Sequence, residues 1–152
     1  QRGGETRRAR TVSRPAQIGR RLGKDMKTLA RICWVTAALY AVLGMSFGIY
    51  MAASGDHTLS PAHGHLNLVG WASIALYGTF YTLVPTAAES RLAGVQVILA
   101  EVGVIIMVPG IAMAIMNAGE GLAKAGATLV LLSALLFLII VARSTGRATS
   151  GG

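Results

Sequence analysis

Cysteine is all but absent from this chain, and the single Cys33 excludes an internal disulfide and any cysteine-built metal knuckle. Charge is scarce as well, at 13% of residues, and acidic side chains number only six. A water-soluble domain of 152 residues carries about twice that share of charge, so the 53% of hydrophobic residues here must meet lipid rather than water. Apolar periodicity is missing from the first 25 residues, which are rich in Arg, Gly, Ser and Thr. By composition they form a basic disordered tail that carries no fold.

Ten of the fourteen Lys and Arg lie within the first 31 residues, so the net charge of +8 belongs to that tail and not to a folded basic face. This argues against nucleic acid as a partner and for the anionic cytoplasmic leaflet of a lipid bilayer. Met26, just ahead of the first apolar run, is a candidate native start.

A helix needs about 20 apolar residues to cross about 30 Å of hydrocarbon. Four runs of that kind stand between polar breaks, at 31–53, 64–85, 92–116 and 122–142. The breaks are short, which makes successive helices antiparallel neighbours. The expected fold is therefore all-α: a four-helix transmembrane bundle over 26–145, with a flexible C-terminal tail at 146–152. Lys24, Lys27, Arg31, Arg91, Arg143 and Arg147 fall on one side of such a bundle, and Asp56 and Glu120 on the other. The positive-inside rule then puts both termini in the cytoplasm, in a multi-pass protein of the inner (cytoplasmic) membrane. Lys124 is the exception, close enough to its helix end to snorkel outward.

Small residues recur where helices could approach closely: Gly44-x-x-x-Gly48, then Gly70, Ala75 and Gly78, then Gly103 and Gly110. Pro109 is expected to kink the third span and free the carbonyl of Ile105. Trp34 and Tyr50 suit interfacial belts, whereas Trp71, two turns into its span, reads as a packing residue.

All three histidines, His57, His63 and His65, fall within nine residues at the outer loop and the start of the second span. Residues two apart on a helix point about 200° away from each other, so His63 and His65 cannot chelate one ion from a single face. They would serve different sites. An imidazole in an apolar span is costly unless it is bonded or ligated, and the same holds for Glu101, about 15 Å deep in the third span. Glu101 is read as a proton-relay group, a partner to a cofactor, or a group bonded to Ser46, Thr79 or Tyr77 across the bundle.

The stretch Pro61-Ala62-His63-Gly64-His65-Leu66-Asn67-Leu68-Val69-Gly70-Trp71, continuing through Tyr77-Gly78, Tyr81 and Val84-Pro85, resembles the tenth helix of subunit I in haem-copper oxidases and nitric-oxide reductases. It is closest to the C-family pattern. The resemblance implies that His63 matches the ligand of the high-spin haem and His65 an axial ligand of the low-spin haem. It covers residues 61–85 only. A histidine for the active-site copper, a cross-linked tyrosine and a second helix with the other low-spin ligand have no counterpart here, so one copy cannot build an oxygen-reducing centre.

What the resemblance implies is a small haem b protein for electron transfer, haem handling or sensing, with His65, His63, Gly64 and Trp71 at the cofactor. Gly64, Gly70 and Ala72 would offer the ring a flat surface, and a sixth ligand would come from His57, Met45, Met51 or the His65 of a second subunit. A homo-oligomer or a larger membrane complex is the expected assembly. Two alternatives stand beside this reading. His57, His63 and Asp56, with His65 from a neighbouring copy, could hold zinc or copper without haem. Or the chain is a non-catalytic accessory or assembly subunit of a respiratory complex that keeps the helix motif for packing.

Reporter fusions test the topology directly. Those at residues 88 and 145 are expected to read cytoplasmic and one at 58 external, and an external signal at 145 overturns the four-span arrangement.

Overall fold

A computed structural model describes the backbone of residues 13–148 and the side chains of 28–144. The tail at 1–12, the last four residues and the side chains of Lys24, Lys27 and Arg147 lie outside the described residues. Helix α1 spans Ser13–Ser54 and so begins well upstream of the boundary at residue 25 that composition marks. A short turn leads to α2 (Ser60–His65), which continues without a break through a π-helical segment, Leu66–Ser73, into α3 (Ile74–Leu83). The brief α4 (Pro85–Ala88) precedes α5 (Arg91–Ile115) and α6 (Gly121–Ala148). The described residues contain no strand.

Three of these helices, at Thr28–Ser54, Arg91–Ile115 and Gly121–Ser144, are long and apolar enough to cross a membrane. Their outward faces carry large hydrophobic side chains such as Val35, Leu39, Ile49, Ile98, Ile105 and Leu138. That surface suits lipid, and the chain has the make-up of a membrane protein.

Local chemistry explains where the helices stop. Gly55 ends α1 with a φ of +69°, a left-handed position that glycine takes without strain. Pro61 sits in the first turn of α2, where its missing N–H costs nothing. Ser90 caps α5, its hydroxyl accepting from the Ala93 N–H at 3.2 Å. Helix α5 runs through Pro109 without interruption.

The helices pack as two hairpins, α1 against the 60–83 helix and α5 against α6. Small residues make the contact close. A Cβ on Gly126 would stand 2.5 Å from the Met107 backbone, and one on Gly103 would stand 2.8 Å from Val130. Gly78 is pressed on Cys33, where an added Cβ would come within 2.9 Å of the cysteine Cβ. The buried positions of α5, from Ala93, Gln96 and Val97 through Ala100, Gly103, Val104, Met107 and Gly110, repeat every three or four residues. That is the stripe two nearly antiparallel helices need.

Trp71 departs from its reading as a packing residue. It is 48% exposed and shares the outer surface with Leu68 and Leu76, because Gly70 and Ile74 take the inward positions on this stretch.

Gly126→Leu is expected to lower stability by at least about 1–3 kcal/mol, since the helix axes must separate to admit the side chain. Gly64→Ala, with open space around its Cβ, is expected to be neutral or mildly stabilising. Thermal unfolding of both variants in detergent checks the contrast.

Candidate functional site

The three histidines do not converge. His57 lies exposed in the turn after α1, its Nδ1 3.2 Å from the Gly55 carbonyl. Nearby Asp56 accepts the Thr58 N–H at 2.9 Å, and hydrogen bonding from Thr58, first from its side chain and then from its backbone, holds the carboxyl below its ordinary range. Among the described residues, no group of three or more His, Cys, Asp or Glu side chains is placed to hold a metal ion together.

His63 turns toward α1. Its ring stands edge-on to Phe47 with centroids 5.8 Å apart, and a Cβ on Gly48 would come within 3.1 Å of it. One turn on, Asn67 donates from Nδ2 to the His63 carbonyl at 2.9 Å and occupies the space above Gly44. The Gly44-x-x-x-Gly48 pair is therefore a seat within the chain for two polar side chains at i and i+4 of the facing helix.

His65 faces the other hairpin. It borders a surface groove of about 330 Å³ whose walls come from Met107, Ile111, Ala114, Ala123 and Ala127, with Glu120 and Lys124 at the rim. Its Nδ1 lies 2.7 Å from the Pro61 carbonyl. A carbonyl only accepts, so Nδ1 carries the proton, and in the neutral ring the lone pair lies on Nε2. Fixing one ring nitrogen in this way is how proteins orient an imidazole for ligation at the other. The Glu120 and Lys124 pair, 2.6 Å apart on successive turns, is exposed on both sides.

Of the other residues assigned to a cofactor, Gly64 is open and has nothing within 4 Å of a would-be Cβ. Gly70 is not open. A Cβ there would stand 3.3 Å from Tyr40 and Val104, so Gly70 serves helix packing and not a flat cofactor surface. Met51 is buried and Met45 is exposed on α1.

Glu101 does have partners, but not those expected. Thr36 lies 2.5 Å from its Oε1, and the Tyr40 hydroxyl donates to Oε2 at 2.9 Å. Both come from α1, one turn apart, while Ser46 is exposed further along that helix and Thr79 donates to its own backbone at Ala75. Thr36 Oγ1 also lies 2.9 Å from the Ile32 carbonyl. The carboxyl thus ties α5 to α1 at mid-span.

Sequence reasoning missed a second polar node. Gln96, fully buried on α5, accepts from the Tyr81 hydroxyl at 2.9 Å and donates to Ser133 Oγ at 2.9 Å; Ser133 in turn donates to the Gln96 carbonyl at 2.9 Å. Every group in this node is satisfied, as burial requires. A polar side chain inside an apolar run, five residues before Glu101, was the available signal. The π-helical turn at 66–73 was missed too. Its wider winding lets Ser73 donate to the carbonyl of Leu68, five residues back.

Gln96→Leu is expected to cost about 1–3 kcal/mol in thermal unfolding, because it strands the Tyr81 and Ser133 hydroxyls in a dry interface. Tyr81→Phe leaves only one acceptor unmet and should cost less. The comparisons bring no relative to set beside this arrangement: no family model, curated protein or solved structure matches the chain.

Proposed function

We propose that this chain is a haem-binding protein of the inner membrane that crosses the bilayer four times with both termini in the cytoplasm. On this reading the 60–83 helix is the fourth span. At 1.5 Å per residue it is about 36 Å long, enough for the hydrocarbon core, although its π-helical middle divides it into shorter pieces. The observation that carries the haem reading is His65, with Nδ1 anchored on Pro61 beside an apolar groove. The likeness of residues 61–85 to an oxidase helix supports the same assignment.

The donor set fits a b-type haem in one respect and limits it in another. His65 supplies one imidazole per chain. His63, with its ring against Phe47 and Gly48 and its nitrogens 3.3 and 3.4 Å from Asn67, is occupied in the α1 contact. His65 of a second copy would supply the second ligand of a six-coordinate haem, and the shallowness of the groove favours a site shared between chains. Haem held there would supply one-electron transfer. The protein's part would be to orient the imidazole through Pro61 and to offer Met107, Ile111 and Ala123 as an apolar wall.

A second reading has its own observation. His63, Asn67, Gly70, Gly78 and Tyr81 of the oxidase-like stretch all make packing contacts or hydrogen bonds within the chain. A helix kept for those contacts alone suits an accessory or assembly subunit of a larger membrane complex. A visible spectrum of the protein in mild detergent separates the two, since a colourless protein that is stable only with a larger partner supports the accessory role.

The histidines are expected to differ. With the haem shared between two copies, His65→Ala removes both axial ligands and is expected to abolish haem binding, whereas His63→Ala leaves haem bound with a smaller change. An unaltered Soret and alpha band in His65→Ala overturns the ligand assignment.

A further inference from the structure

Away from the histidines, α4 and the C-terminal part of α6 enclose a cavity of about 190 Å³ beside the start of α5, lined by Thr86, Ser90, Leu92, Ile140, Arg143 and Ser144. Its chemistry is divided. Leu92 and Ile140 supply apolar lining, and Arg143, Thr86, Ser90 and Ser144 supply polar lining. Two of the three hydroxyls are already committed: Ser90 donates to the Ala87 carbonyl at 2.8 Å and Ser144 to the Ile140 carbonyl at 2.8 Å. Thr86 is exposed and its hydroxyl makes no hydrogen bond among the described residues, and Arg143 makes no ion pair among them. The cavity thus offers a planar cationic fork and one free hydroxyl next to an apolar wall.

The geometry points to this cavity as a binding site for the phosphate group of an anionic phospholipid, held by Arg143 and Thr86 with its glycerol and upper acyl chain along Leu92 and Ile140. A guanidinium pairs with phosphate through two parallel hydrogen bonds, stronger than neutral ones, and a site at the helix ends lies at headgroup depth. A free phosphate would leave the apolar wall unused, so the lipid ester is the better match. Arg91 sits next to the lining residues Ser90 and Leu92 but does not line the cavity, which separates a built site from general attraction of anionic lipid to a cationic membrane face.

The full chain in neutral detergent is titrated with phosphatidylglycerol, phosphatidylcholine and inorganic phosphate, with binding read by native mass spectrometry. Wild type is expected to retain one phosphatidylglycerol per chain in preference to phosphatidylcholine. Arg143→Gln raises the half-saturating concentration about tenfold, and Arg91→Gln changes it by less than about twofold. Equal weakening in both variants, or none in Arg143→Gln, overturns the site. Displacement of the lipid by equimolar inorganic phosphate, or equal binding of phosphatidylcholine, overturns the anionic-lipid assignment. Should Arg143→Gln fail to fold, Arg143→Lys keeps the charge but loses the fork and is expected to weaken binding about threefold, and unchanged binding in it counts against the proposal.

Discussion

Two polar side chains of α5, five residues apart, set the arrangement of everything around them. In lipid the apolar faces of helices gain little by meeting each other, so association rests on close packing and on the few hydrogen bonds available. Gln96 reaches both the 60–83 helix and α6, and Glu101 reaches α1. Each hairpin therefore has a fixed register against the other. A slip of α5 by one residue would turn both groups about 100° away from their partners and leave them facing hydrocarbon.

Glycine does the complementary work. Close approach at Gly103, Gly110 and Gly126 brings the backbones of α5 and α6 together, and Gly44 and Gly48 do the same for α1 where side chains rather than backbone fill the space. The difference matters for the histidine pair. His63 is half-buried because the glycine seat receives it, while His65, two residues on, is exposed.

Much of this was legible in the sequence, and the limits have physical reasons. The breaks between helices followed from hydropathy, since lipid thickness acts locally, but the start of α1 at Ser13 did not, because its first turns are polar. The depth of Glu101 could be read, but its partners on α1 could not, because they depend on how the helices are rotated about their axes. The glycine spacing announced close packing without saying whether backbone, His63 or another chain would fill it. The π-helical turn left no mark in composition, since it differs from an α-helix only in which carbonyl each N–H finds. Trp71 misled because two turns of depth say nothing about which side of a helix a residue takes.

The packing of Gly78 on Cys33 also gives this chain a clock. The one thiol is sealed where α1 meets α3, with no solvent-exposed surface. A membrane-permeant thiol reagent can reach it only when those helices part, so the labelling rate measures how often that seam opens. No engineered probe is needed, and no other cysteine competes for the label.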